Sequence, residues 1–212
     1  MLKLRSIWKT ICSQWARHNA YRRAYSNSPD WRLVLWFRKQ LFKSTAVAAC
    51  QYLAQGTVLD IGTGPGSLPR ILAEIAPNIR VIGIDIERVL LQDARKGVLR
   101  NPAQNRISFL LADAHALPFF DGSFDMVVSV ASLHLLHDRQ KAITESYRVL
   151  KHGGIALMLV GRQRIYPGKI ALLDFITKRS AKYLKSIFET AGFKDIQTAS
   201  PEFSLLHVVG KK

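Results

Sequence analysis

The chain has 212 residues, 48% hydrophobic and 22% charged, with a formal net charge of +16. That length suits one domain with a substantial core, and the composition is that of a globular chain rather than a disordered one. No apolar run approaches the roughly 20 residues that span a bilayer. The two cysteines, Cys12 and Cys50, leave no disulfide framework and no cysteine-built zinc site, and fit a reducing compartment such as the cytoplasm.

The charge is unevenly spread. Residues 1–50 carry ten Lys/Arg against the single acid Asp30, residues 51–160 eleven against ten, and residues 161–212 ten against four. A near-neutral middle with basic flanks suggests a dedicated surface; the plainer alternative is a solvated surface with a charge bias. In residues 1–29, Leu4, Ile7, Trp8, Ile11 and Trp15 recur at helical spacing, with Lys3, Arg5, Lys9 and Arg17 between them. This predicts a basic amphipathic helix, with too many charges for a secretory apolar region. Three uses fit it: a lid over a ligand site, contact with an anionic membrane surface, or RNA contact or targeting. Tyr21, Tyr25, Trp31 and Trp36 lie among charges, where they can line an apolar pocket or stack on bases.

From residue 57 short β-branched runs alternate with longer helical stretches. TVLDI (57–61) leads through a glycine-rich turn into SLPRILAEIA (67–76), and VIGIDI (81–86) into ERVLLQDARKGVL (87–99). ISFLLA (107–112), MVVSVA (126–131) and IALMLV (155–160) are further strands, with a helix predicted over 138–151. Such alternation calls for parallel strands, right-handed crossovers and helices on both faces. After residue 160 a helix over 181–192, closed by Gly192, precedes KDIQTAS and FSLLHVVG, two strands with no helix between them. They are expected to pair antiparallel at the sheet edge.

The first loop reads Asp60-Ile61-Gly62-Thr63-Gly64-Pro65-Gly66. Glycines let the backbone turn sharply and let a ligand lie against the main chain. A tight turn is the plain alternative, but a strand before the loop and a helix after it favour a ligand site. A dinucleotide fingerprint would read G-x-G-x-x-G, whereas here the third glycine comes one residue early, at 66, with Ser67 behind it. That weakens the NAD reading.

LDIGTGPG resembles the first motif of class I S-adenosylmethionine-dependent methyltransferases. GIDIE, LADAHALPFFDGSFDMVVS and RVLKHGGIALM resemble the segments that follow it in that family, in the same order. The ALPF…SFD pattern is similar to the ubiquinone/menaquinone-biosynthesis-like group. The resemblance covers residues 55–160 well, 180–209 loosely and 1–45 hardly at all. It implies a Rossmann-like, doubly wound, mostly parallel seven-stranded sheet with an antiparallel edge strand, and S-adenosyl-L-methionine as cofactor. Gly62, Thr63, Gly64 and Gly66 are then expected along the methionine moiety, with Asp60 helping to hold its ammonium. Asp85 is expected on the ribose hydroxyls, Ile86 and Leu90 on either side of the adenine, Asp113 on its amino group with the Ala114 backbone beside it, and Ser129 toward the methionine end. Asp85 and Asp113 can also be read as helix N-caps.

The cofactor's sulfonium supplies the electrophile in methyl transfer, so the protein's main task is to position a nucleophile. A base is needed only where a proton must leave. SLHLLHD (132–138) offers His134 as that base, with His137 three residues on and Asp138 to orient one of them. Both histidines can equally be ordinary loop residues, and with no third ligand evident no metal is expected. Tyr166, after the fifth strand, is placed to contact the acceptor or to pack before Pro167.

The expected organisation is a basic extension over 1–45 and a methyltransferase domain over 46–212. The expected activity is methylation of a small, apolar or aromatic acceptor, either in the cytoplasm or peripheral to a membrane. The alternatives are an RNA methyltransferase and a non-catalytic cofactor-binding scaffold. Basicity encourages the RNA reading, but SVAS stands where an N/D-P-P-Y/F motif would be.

Overall fold

Among the described residues, the apolar runs from residue 57 onward adopt the strands and helices their periods favour. In the computed structural model, which describes residues 31–99, 101–161, 174–199 and 205–212, the first elements are α1 (Trp31–Tyr52), β1 (Gly56–Ile61), α2 (Ser67–Ile75), β2 (Ile79–Asp85) and α3 (Arg88–Val98). They are followed by β3 (Ile107–Leu111), β4 (Phe124–Val130), α4 (Arg139–Val149), β5 (Leu150–Gly161), α5 (Asp174–Ala191), β6 (Lys194–Ala199) and β7 (Leu205–Lys211). The strands form one seven-stranded sheet in the order β3-β2-β1-β4-β5-β7-β6. β1 to β5 pair in parallel, and β7 runs antiparallel to both β5 and β6.

The sheet has a core on each face because successive strand residues point opposite ways. Val58, Met126, Val128, Leu157 and Leu159 meet Ala46 and Ala49 of α1 and Leu68, Leu72 and Ala73 of α2. Leu59, Ile61, Val127, Met158 and Val208 meet Ile143 of α4 and Leu184, Ile187 and Phe188 of α5. Each fully buried large aliphatic or aromatic side chain contributes about 1.5–3 kcal/mol, which makes these two layers the main source of stability. The chain moves outward one way from β1 to β3 and the other way from β4. A crevice therefore opens beyond the carboxyl ends of β1 and β4, where such sheets bind ligands.

Several boundaries differ from the sequence reading for tertiary reasons. The helix expected to run to 151 stops at Val149, because Leu150 pairs with Phe124 and begins β5. The last helix starts at Asp174, well before 181. β7 carries the antiparallel pairing one position in from the edge, and the largely exposed β6 closes the sheet. The boundary expected at 45/46 falls inside α1, whose Thr45, Ala46 and Ala49 are fully buried. Among the described residues no helix is long and apolar enough to cross a membrane.

Candidate active site

The loop after β1 turns back through glycines in the left-handed region, with φ of 70° at Gly62, 55° at Gly64 and 72° at Gly66. The three have different surroundings. A Cβ at Gly62 would collide with the Ser132 side chain, and one at Gly66 with Phe109 and Ala94. At Gly64 it would meet nothing within 4 Å. Gly62 and Gly66 therefore allow close packing, while Gly64 presents bare backbone to open space. The backbone N–H groups of Gly62 and Thr63 both donate to the Ile84 carbonyl at 2.9 Å, which ties the loop to the end of β2.

Asp85 ends β2 beside this cradle. Its Oδ2 accepts from the Gly64 N–H at 2.8 Å and its Oδ1 from the Glu87 N–H at 2.9 Å. Burial raises its pKa, against the pull of these backbone donors. Ile86 follows with its side chain 67% exposed, and Leu90 lies half-buried in the first turn of α3. Asp60 sits beneath the loop, 2% exposed. Burial pushes its carboxyl up to about 7, the nearby Thr63 hydroxyl moderates the rise and the Asp85 charge adds to it. Among the described residues that hydroxyl is itself buried without a hydrogen bond of good geometry.

Ser129 lies deeper than expected. It is 1% exposed, with its Oγ 2.5 Å from the Ser132 Oγ, and the Ser132 hydroxyl donates to the Ile61 carbonyl at 2.8 Å. Since Ser132 spends its proton on Ile61, Ser129 must donate to Ser132. The pair staples the end of β4 to the end of β1, and Ser132 rather than Ser129 packs against the glycine loop. Between them Ala131 has φ of 53°, a left-handed residue that brings Ser132 back toward Gly62.

Asp113 follows β3, its side chain 46% exposed against 8% for His115. Its Oδ1 takes both the His115 backbone N–H, at 2.9 Å, and the His115 ring Nδ1, at 2.5 Å. Burial works to raise its pKa, but the hydrogen bonds from His115 outweigh it and hold the carboxyl below its usual value. Ala114 between them is buried.

The rest of the LADAHALPFFDGSFD stretch is scaffold. Arg148 of α4 donates to the carbonyls of Leu117 and Phe119 and to the carboxylates of Asp121 and Glu145, while Glu145 accepts from the Leu117 N–H. Asp125 lies at the opposite end of the sheet, where it accepts from the Thr57 N–H and from Lys151.

His134 occupies a short 3-10 turn, Leu133–Leu135, just past β4. Its Nδ1 is buried without a partner among the described residues. Burial, and then the charge of Arg139, hold its pKa below the usual imidazole value. Asp138 does not orient it: that carboxylate accepts from the Lys141 N–H and caps α4. His137 turns away as well, its ring 3.9 Å from that of His115. Sequence reasoning missed His115 and Ser132, which stood in the quoted motifs without a spacing signal of their own. Among the described residues no cluster of three or more His, Cys, Asp or Glu is placed to hold a metal ion. Tyr25, Tyr166 and the amphipathic stretch of residues 1–29 lie outside the described residues.

A glycine-lined cradle at the switch point, with acids ending β2 and following β3, defines the class I S-adenosylmethionine-dependent methyltransferase fold. A methyltransferase from Aquifex aeolicus described as S-adenosylmethionine-dependent shares that fold, with a TM-score of 0.67, at 19% identity over 87% of this chain and 94% of that one. Residues 59–158 match the methyltransferase domain family. The ubiquinone/menaquinone biosynthesis C-methyltransferase of Geotalea uraniireducens is 31% identical over 60% of this chain and 55% of its own length. The demethylmenaquinone methyltransferase of Thermus thermophilus is 37% identical over 60% of this chain and 57% of its own. The chain spans about half the length of these curated relatives.

Proposed function

We propose that this protein transfers the methyl group of S-adenosylmethionine to a small, apolar aromatic acceptor. The observation that carries the cofactor half is Gly64: a backbone cradle open to solvent, with the half-buried Asp85 bonded to its N–H. In this reading Gly64 lies along the methionine moiety, and Asp60 faces its ammonium from below. Asp85 keeps a lone pair on each oxygen for a ribose hydroxyl, after the bonds from Gly64 and Glu87. The exposed Ile86 and the neighbouring Leu90 cover the adenine, and Asp113 accepts from its amine beside the Ala114 backbone. When bound, the cofactor supplies an electrophilic methyl on a positively charged sulfur; the chain's own groups hold both reactants and exclude water.

His134 is the proposed base. A depressed pKa keeps the ring neutral near pH 7, as a base must be, and with Nδ1 enclosed the arriving proton goes to Nε2. The relatives named for quinone precursors support a hydroxylated aromatic ring as acceptor, whose ring carbon becomes nucleophilic when the hydroxyl proton is withdrawn. Tyr25 and Tyr166 are proposed to border this acceptor.

Calorimetric titration with S-adenosylhomocysteine and with NAD tests the cofactor, and transfer of labelled methyl to a naphthohydroquinone or to bulk RNA tests the acceptor. Binding of S-adenosylhomocysteine alone with label on the quinol is expected. Binding of NAD alone would overturn the cofactor assignment. Label on RNA overturns the acceptor, and cofactor binding with no transfer to either favours a scaffold. His134→Ala should lower turnover by about 10²–10⁴-fold with cofactor affinity nearly unchanged; wild-type turnover would leave proximity alone as the mechanism.

A further inference from the structure

The loop after β3 holds a buried histidine that the reaction as proposed does not use. His115 is 8% exposed, and both ring nitrogens are engaged. The Asp138 backbone N–H points at Nε2 from 3.4 Å, so Nε2 carries no proton. The ring proton therefore sits on Nδ1 and is donated to Asp113 Oδ1 at 2.5 Å. The ring also lies against His137, with centroids 3.9 Å apart and planes tilted by 38°. Three contacts thus fix one imidazole, and the imidazole in turn fixes one oxygen of a carboxylate that is 46% exposed.

We propose that His115 is a positioning residue for adenine recognition: by occupying Asp113 Oδ1 it aims Oδ2 at the exocyclic amine of the cofactor. The proposal rests on the reading that Asp113 accepts from that amine. A half-exposed carboxylate without a ring partner samples several rotamers, and ordering it would cost part of the energy of the bond it makes. His115 meets that ordering cost on folding. Asp138 begins α4 directly after the segment bearing His134, so the same ring ties the adenine side of the crevice to the proposed acceptor side.

The test compares binding of S-adenosylhomocysteine with that of S-inosylhomocysteine, in which an oxygen replaces the amine, by calorimetry on the full chain. The wild type should prefer the adenosyl ligand by about tenfold, the size of one hydrogen bond to a charged acceptor. His115→Gln, which places its amide near the Nε2 position and leaves Asp113 without a side-chain donor, should bring that ratio close to one. Affinity for the inosyl ligand should then change little. His115→Asn, whose amide nitrogen replaces Nδ1, should keep the preference. Asp113→Asn should lose it. If Asp113→Asn keeps the wild-type ratio, the adenine reading itself fails and the proposal falls with it. If Asp113→Asn loses the preference while His115→Gln retains it, only the role of His115 is overturned. Equal losses for both ligands in both His115 variants would make the residue a general support of the loop and overturn the proposal as well.

Discussion

The three loop glycines separate two roles that a single motif hides. Gly64→Ala places a methyl in open space, so it adds only the left-handed strain, about 1–2 kcal/mol for a non-glycine residue. Gly66→Ala adds the same strain and drives a methyl into Phe109 and Ala94, for a further cost of roughly 1–3 kcal/mol from overpacking. Thermal melting should therefore rank Gly66→Ala below Gly64→Ala, whereas S-adenosylhomocysteine affinity should fall in Gly64→Ala even where its fold is intact. The reverse order of melting would show that the two surroundings are misread. Asp60 offers a second residue-scale prediction. With its carboxyl at about 7 in the folded protein against 3.8 as its ordinary value, the folded state keeps a proton that the unfolded chain has released. Stability of the ligand-free protein should therefore fall as pH rises between about 4 and 7. Affinity for the ammonium-bearing cofactor should rise as pH passes about 7 and the carboxylate forms. Asp60→Asn should flatten both trends; melts and titrations at pH 6 and pH 8 check this, and an unchanged slope would exclude Asp60 as their source.

At the scale of elements, the loop between β3 and β4 owes its order to α4. Arg148 gathers two carbonyls and two carboxylates from a stretch nearly thirty residues earlier and its own helix, and Glu145 completes the clamp on Leu117. Arg148→Leu should lower stability by on the order of 2 kcal/mol, the worth of hydrogen bonds to a charged group after discounting for its partial exposure. Amide exchange should quicken over residues 113–123 more than in β1 or β4, and an unchanged exchange pattern would deny the clamp. The ALPF…SFD resemblance takes on a physical meaning here. Leu117 and Phe124 enter the core and Asp125 anchors the far end of β4, so this motif is scaffold.

At the scale of the whole molecule, the excess positive charge lies in the flanks of a near-neutral centre. The helix expected from the sequence over Leu4, Ile7, Trp8, Ile11 and Trp15 would offer an apolar stripe, and each Lys or Arg near an anionic bilayer contributes about 1 kcal/mol. Apolar acceptors concentrate in membranes, so surface attachment would bring the enzyme to its substrate. Full-length protein should sediment with anionic liposomes at low salt and be released at high salt, because exposed charges are screened over about 10 Å at 0.1 M. Removing residues 1–18 should abolish that binding. If liposomes are ignored and the truncation weakens cofactor binding instead, the segment acts as a lid.

What the sequence determined by itself is local and periodic. Strands and helices alternate in hydrophobic period, a glycine loop follows the first strand, and acids sit at the ends of the next two; each of these is a relation between residues close in the chain. The tertiary structure decided what depends on distant residues meeting. Ser132 reaches Ile61 across 71 positions, Arg148 reaches back to Leu117, and Gly62 is glycine because Ser132 fills its space. β7 enters the sheet beside β5 because its register satisfies a strand that would otherwise be an open edge, and Leu150 leaves its helix to pair with Phe124. His115 stands as one histidine in a loop until folding brings His137 and Asp138 against it. Local spacing carries no record of such encounters, since they are set by packing rather than by period.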